Sequence, residues 1–289
     1  MSRTPFAPLF DRLVDDAAVF PPGLSPLDVA VREHLDRRTG PYAAHIGPLL
    51  VPATDAGELA ALAAADPRTS ELPLEVGLVV RPGAPVQPLV EALAALRDHD
   101  RVLVTAAELG WSEEWRRVLD ADVPVVVEVG LGDDQARGLD DVAAAVDDER
   151  DVAVKFRTGA TPTWAWPDEQ SLGRFLDAVV LHGLRFKLTG GLHHAVRGSD
   201  AGQPVHGVLN VLLATHEALH GAEADELAGA LARHDTEVLV TALSSLNPVE
   251  ALRVRASFTS YGCCGVLDPL TELEALGLIT VTDAKEQHP

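Results

Sequence analysis

The chain has 289 residues, 47% of them hydrophobic, and a formal net charge of −21, so it can supply a substantial core. Acidic residues spread along its whole length oppose nucleic-acid phosphates and anionic membrane surfaces, and neither is expected as a partner. The N-terminal MSRTPFAPLFDRLVDDAAVF lacks a basic segment leading into an apolar run, and no stretch nears the roughly 18 apolar residues of a membrane span, which predicts a soluble cytoplasmic protein.

Short β-branched runs alternate with Ala/Leu/Asp/Glu-rich segments of helical period, the pattern of a parallel sheet with helical crossovers. The predicted strands are AAVF (17–20), IGPLLV (46–51), LEVGLVV (74–80), RVLVT (101–105), PVVVEV (124–129), VAVKFR (152–157), RFKLT (185–189) and ASFTS (256–260). Helices are predicted over 25–38, 55–65, 85–97, 112–119, 135–147 and 168–182. An open doubly wound sheet gives a similar string, but eight strand-helix units without a linker favour one (β/α)8 TIM-type barrel over residues 1–289. Residues 195–255 break the spacing and read as a helical insertion, with helices near 206–219 and 223–233. The TEVLVT segment within them competes with ASFTS for the place of eighth strand.

In such a barrel the chemistry sits at the C-terminal ends of the strands. Polar residues gather there over the second half of the chain: Glu128, then Lys155-Phe156-Arg157-Thr158-Gly159, Lys187-Leu188-Thr189-Gly190-Gly191, and Thr259-Ser260-Tyr261-Gly262. Thr105 with Glu108 ends the fourth predicted strand. Strand alternation puts Lys155 and Arg157 on one face and Lys187 and Thr189 on one face. If those faces line the interior, three cations converge, and burial requires Glu128, an anionic ligand or loss of a proton to compensate them. A lysine that loses its proton beside another cation is a free amine able to attack a carbonyl. The plainer reading leaves each lysine at a strand end, paired with a carboxylate such as Glu128 and reaching solvent. Thr189-Gly190-Gly191 and Ser260-Tyr261-Gly262 occupy the places where barrels build anion sites from backbone N–H groups, although glycines there also serve tight turns alone.

In order and spacing, VVVEVGLGDD (125–134), AVKFRTGA (153–160), FKLTGGLHH (186–194) and FTSYGCCGV (258–266) resemble strands five to eight of class I deoxyribose-phosphate aldolases and their barrel relatives. The resemblance implies that Lys155 is a Schiff-base lysine and Lys187 its cationic neighbour, with Glu128 ending strand five. It also implies that Gly190, Gly191, Ser260 and Gly262 hold phosphate. On this reading the catalytic set is Lys155, Lys187, Glu128 and His193. Arg157, Thr158, Thr189 and His194 join the glycines and Ser260 in binding a small anionic carbonyl substrate. No cofactor and no metal are called for, and homo-oligomerisation stays open.

Other constellations compete. His193 or His194, with Glu128, Asp15, Asp16 or His206, gives the donor types of a metal-dependent hydrolase or isomerase. Adjacent residues on an extended chain face opposite ways, so only one of the two histidines is expected at a single site. HEALH (216–220) formally matches a zinc-peptidase helix, but Gly221 ends it at once. A non-catalytic barrel that binds an anionic metabolite through the same cations is a further alternative. Trp164 and Trp166 either cover the cavity or pack on the rim. The adjacent Cys263 and Cys264 exclude a disulfide framework and fit a reducing compartment.

Overall fold

A computed structural model describes residues 7–161, 164–200 and 202–281. Eight parallel strands close into a barrel: β1 (Val14–Asp16), β2 (Ile46–Pro52), β3 (Leu74–Val79), β4 (Val102–Gly110), β5 (Val125–Glu128), β6 (Val152–Arg157), β7 (Phe186–Thr189) and β10 (Phe258–Cys263). Each pairs with its chain neighbour, and β10 returns to β1, so the barrel has no open edge. This is the TIM-type α/β fold. No helix among the described residues is long and apolar enough to cross a membrane.

Alternation on β6, β7 and β10 separates two environments. Val154, Phe156, Phe186, Leu188 and Phe258 belong to the apolar layer between barrel and helices. There Phe175 of helix Glu169–Leu181 stacks on Phe156 at 4.6 Å, and Phe186 stacks on Phe258 at 5.0 Å. Each such buried ring contributes on the order of 1.5–3 kcal/mol. The residues between them turn inward, and register places Lys187 beside both Lys155 and Ser260, and Lys155 beside Glu128.

Three sequence expectations require correction. The first strand is Val14–Asp16, not Ala17–Phe20; the apolar AAVF run instead leaves the barrel in a turn in which Phe20 N donates to Ala17 O at 2.8 Å. TEVLVT is a helix, Thr236–Ser244, because the Asp235 side chain accepts from Val238 N and the buried Leu239 and Leu243 fall four residues apart. The eighth barrel strand is thus the later candidate, shifted to Phe258–Cys263. The segment predicted as a helix over 112–119 is a 3₁₀ turn, Trp115–Ala121.

Between β7 and β10 lie a two-stranded antiparallel hairpin, β8 (Gly198–Asp200) and β9 (Gln203–Val205), and four helices: Val208–Ala218, Ala224–Leu231, Thr236–Ser244 and Pro248–Ser257. Asn247 opens the last of these with a reciprocal cap to Glu250 and Pro248 in its first turn. The final helix, Leu267–Ala275, follows β10 directly.

Candidate active site at the barrel mouth

The inward residues of six strands build one buried ionic chain. Lys187 Nζ lies 2.6 Å from Asp15 Oδ2 and also pairs with Glu108 Oε1. Lys155 Nζ donates to the other oxygen of Glu108 at 3.0 Å and stands 3.1 Å from Glu128 Oε2. Arg157 Nε donates to Glu128 Oε1 at 3.0 Å. At the opposite end Ser260 Oγ donates to Asp15 Oδ2 at 2.7 Å. Asp15, Glu108, Glu128, Lys155 and Lys187 are all buried, whereas Arg157 and Ser260 reach partial exposure at the mouth.

Burying one unpaired charge costs several kcal/mol, so alternation of sign is what makes the cluster tolerable. Burial by itself works to raise the Glu108 carboxyl, but the two ammoniums outweigh it and hold it at about 2. Glu128 follows the same pattern: burial pushes upward, while Lys155 and Arg157 keep it below its ordinary value. Burial also disfavours the Lys187 ammonium, yet Asp15 and Glu108 prevail and raise it. Asp15 is the exception, raised by burial that Lys187 offsets only in part.

The geometry corrects the expectation of two ammoniums facing each other. Lys155 and Lys187 do share one interior space, but Glu108 stands between them, one oxygen to each. Among the described residues Glu128 Oε2, although 3.1 Å from Lys155, has no well-directed hydrogen bond, whereas the Lys155 amine donates to Glu108.

Two members are named in the sequence reading, Glu108 at the end of the fourth predicted strand and Asp15 as a possible metal donor, but neither is expected beside the lysines. Glu108 lies inside β4, which runs to Gly110 rather than ending at Thr105; the signal was an isolated acid in the apolar run AAELG. Asp15 was masked by Asp16, whose carboxylate faces the other way and takes His34 at 3.0 Å and Arg37 at 2.8 Å.

The glycine loops are closely packed. Gly190 and Gly191 adopt φ of 73° and 79°, which favours glycine, and a β-carbon on Gly191 would meet Trp166 Cζ3 at 2.7 Å. The loop after β6 presses on the same turn: Thr158 donates through its hydroxyl to Gly190 O and through its N–H to Thr189 O. Thr158 therefore fastens two loops together. Gly262 carries Thr189 Oγ1 and Leu50 Cδ1 as its near neighbours. Trp164 packs edge-on against Phe156 at 5.7 Å, and Trp166 lies against Gly191.

The histidines go elsewhere. His193 engages Asp268 at 3.2 Å together with both cysteines, and His194 engages Glu272 at 2.8 Å. Contrary to the opposed-faces expectation, both reach the same final helix. His206 Nε2 bonds the Pro167 carbonyl at 2.8 Å. In HEALH, His220 Nδ1 bonds the His216 carbonyl just past the helix end. Among the described residues no group of three or more His, Cys, Asp or Glu is placed to hold a metal ion.

A scan against protein-family profiles finds no match for this chain, and a search of curated proteins finds no similar sequence.

Proposed function

We propose that this barrel is a Schiff-base-forming lyase of the aldolase kind, acting on a small aldehyde or ketone, with Lys155 as the amine. The observation that carries the reading concerns residue choice. The chain contains three lysines against twenty arginines, and two of the three sit on the two oxygens of one buried carboxylate. A guanidinium would satisfy the same charge with more hydrogen bonds, but only an amine can shed its proton and attack carbon.

The ionic chain favours Lys155 over Lys187 for that role. When Lys155 gives up its proton, Glu108 keeps Lys187 and Glu128 keeps Arg157, so neither carboxylate is left uncompensated. Glu128 Oε2, 3.1 Å away and without a hydrogen-bond partner among the described residues, is a free acceptor for that proton. Loss of the Lys187 proton would instead strand Asp15, whose other partner is the Ser260 hydroxyl.

The amine nitrogen then adds to the carbonyl carbon, the carbonyl oxygen gains a proton, and the resulting carbinolamine loses water to leave an iminium. That cation accepts the electron pair of the bond between its α- and β-carbons as it breaks, giving an enamine, while the β-hydroxyl passes its proton to water and becomes a carbonyl; the reverse flow forms the bond. Lys187 stays cationic throughout and holds Glu108 and Asp15 in place. Arg157 spends Nε on Glu128 while Nη1 lies toward the Gly190 turn, which suits a carboxylate or phosphate on the substrate.

Borohydride added with a panel of small aldehydes and ketones should leave a secondary amine on Lys155, located by peptide mass mapping and lost in Lys155→Met. Labelling at Lys187 instead, or none across the panel, overturns the assignment.

A further inference from the structure

The final turn of the barrel holds a second set of reactive groups, separate from the ionic chain. Cys264 Sγ lies 3.5 Å from His193 Nε2, and the opposite ring nitrogen, Nδ1, lies 3.2 Å from Asp268 Oδ2. Thiol, imidazole and carboxylate thus follow one another through the two sides of one ring, the order in which a base and its orienting acid activate a nucleophile. Cys263 Sγ stands 3.6 Å from Nδ1, but it is buried, and burial pushes its thiol up. Cys264 and His193 are partly exposed and Asp268 is exposed.

The backbone is shaped around this arrangement. A β-carbon on Gly265 would stand 2.2 Å from Asp268 Oδ2, so only glycine lets that carboxylate fold back toward the ring. Asp268 N donates to Gly265 O at 3.0 Å, closing the turn that brings Cys264 and Asp268 to the same imidazole. His194 is tied to Glu272, one helical turn beyond Asp268, which fixes the loop carrying His193 against the helix. Hydrogen bonds to Cys263 and Cys264 raise the His193 ring above its ordinary range, which favours the protonated ring that proton transfer produces.

We propose that Cys264, His193 and Asp268 form a second reactive site on the barrel rim, in which His193 accepts the Cys264 proton and the thiolate attacks small electrophilic carbon compounds. With an alkyl halide as the electrophile, the sulfur pair forms the S–C bond, halide leaves with the C–X pair, and the thiol proton rests on His193 before passing to solvent. Nothing is oxidised or reduced.

Iodoacetamide is the probe, with the whole chain kept folded and the adducts located by peptide mass mapping. At neutral pH Cys264 should be carboxamidomethylated first, with Cys263 protected by burial. His193→Asn should slow the Cys264 reaction by at least about 10-fold, as loss of a base does. Asp268→Asn, at an exposed position, should slow it several-fold while leaving the thermal unfolding transition in place, so a folding defect in the histidine variant does not decide the matter. Equal Cys264 rates in native protein and in Asp268→Asn, or preferential labelling of Cys263, overturn the proposal. Neither outcome bears on Lys155, which iodoacetamide does not report at these rates.

Discussion

Gly47 is the residue that makes room for Asp15: a β-carbon at Gly47 would stand 2.0 Å from Asp15 Oδ1. The two lie on neighbouring strands, β2 and β1, on the interior side. Gly47→Ala must therefore push the Asp15 carboxylate off Lys187. Removing one partner from a buried pair costs about 3–5 kcal/mol, and urea unfolding should show a loss of that order. Gly57, on helix Ala56–Ala65, has nothing within 4 Å of its would-be β-carbon, and Gly57→Ala should stabilise by about 0.5–1 kcal/mol. A Gly47→Ala protein as stable as the native one would show that Asp15 is not held where the structure puts it.

The buried carboxylates set the acid limit of the fold. Glu108 stands at about 2 against an ordinary 4.5, and Glu128 is also lowered. A carboxyl lowered in the native state stabilises it above the unfolded value and loses that contribution as pH falls toward the native value. For Glu108 the window runs from about 4.5 down to about 2. Asp15, raised by burial, has the opposite sign and favours folding less as pH rises through its native value. Since two lowered groups oppose one raised group, urea midpoints should decline through the Glu108 window on acidification. Glu108→Gln should be less stable at neutral pH and show a flatter decline; parallel slopes for the two proteins would remove Glu108 from this role.

Asp141 collects the indole N–H groups of Trp111 and Trp115 and the guanidinium of Arg116. Burial raises its carboxyl, but these donors prevail and hold it below its usual range. Asp141→Ala orphans the N–H of the fully buried Trp115, which costs about 1–3 kcal/mol. Tryptophan emission in the folded protein should shift and the urea midpoint should fall. Unchanged emission would mean that the indoles find other acceptors.

Much of this arrangement was legible before any coordinates. The Lys155 and Lys187 pattern is readable because single charges alternate with apolar residues, and a strand of period two sorts the two sets onto opposite faces. Glu108 and Asp15 were harder. Strand β4 shifts register against β3 between Val76 and Gly77, and such an irregularity leaves no mark in composition. In β1 two adjacent acids conceal a strand, since both are buried through partners far along the chain: Lys187 for Asp15, and His34 with Arg37 for Asp16. TEVLVT misleads for a different reason: Val and Thr favour strands weakly, and a side-chain cap with buried leucines at helical spacing outweighs them.

The ionic chain joins three carboxylates, Asp15, Glu108 and Glu128, to three cations, Lys187, Lys155 and Arg157, and its inner members have no solvent to compensate a loss. Any lone neutral replacement leaves an unbalanced charge in a buried space. Lineages carrying this barrel would then exchange these positions in matched acid–base couples, so that variation at residue 15 would be accompanied by variation at residue 187, though the two are far apart in sequence.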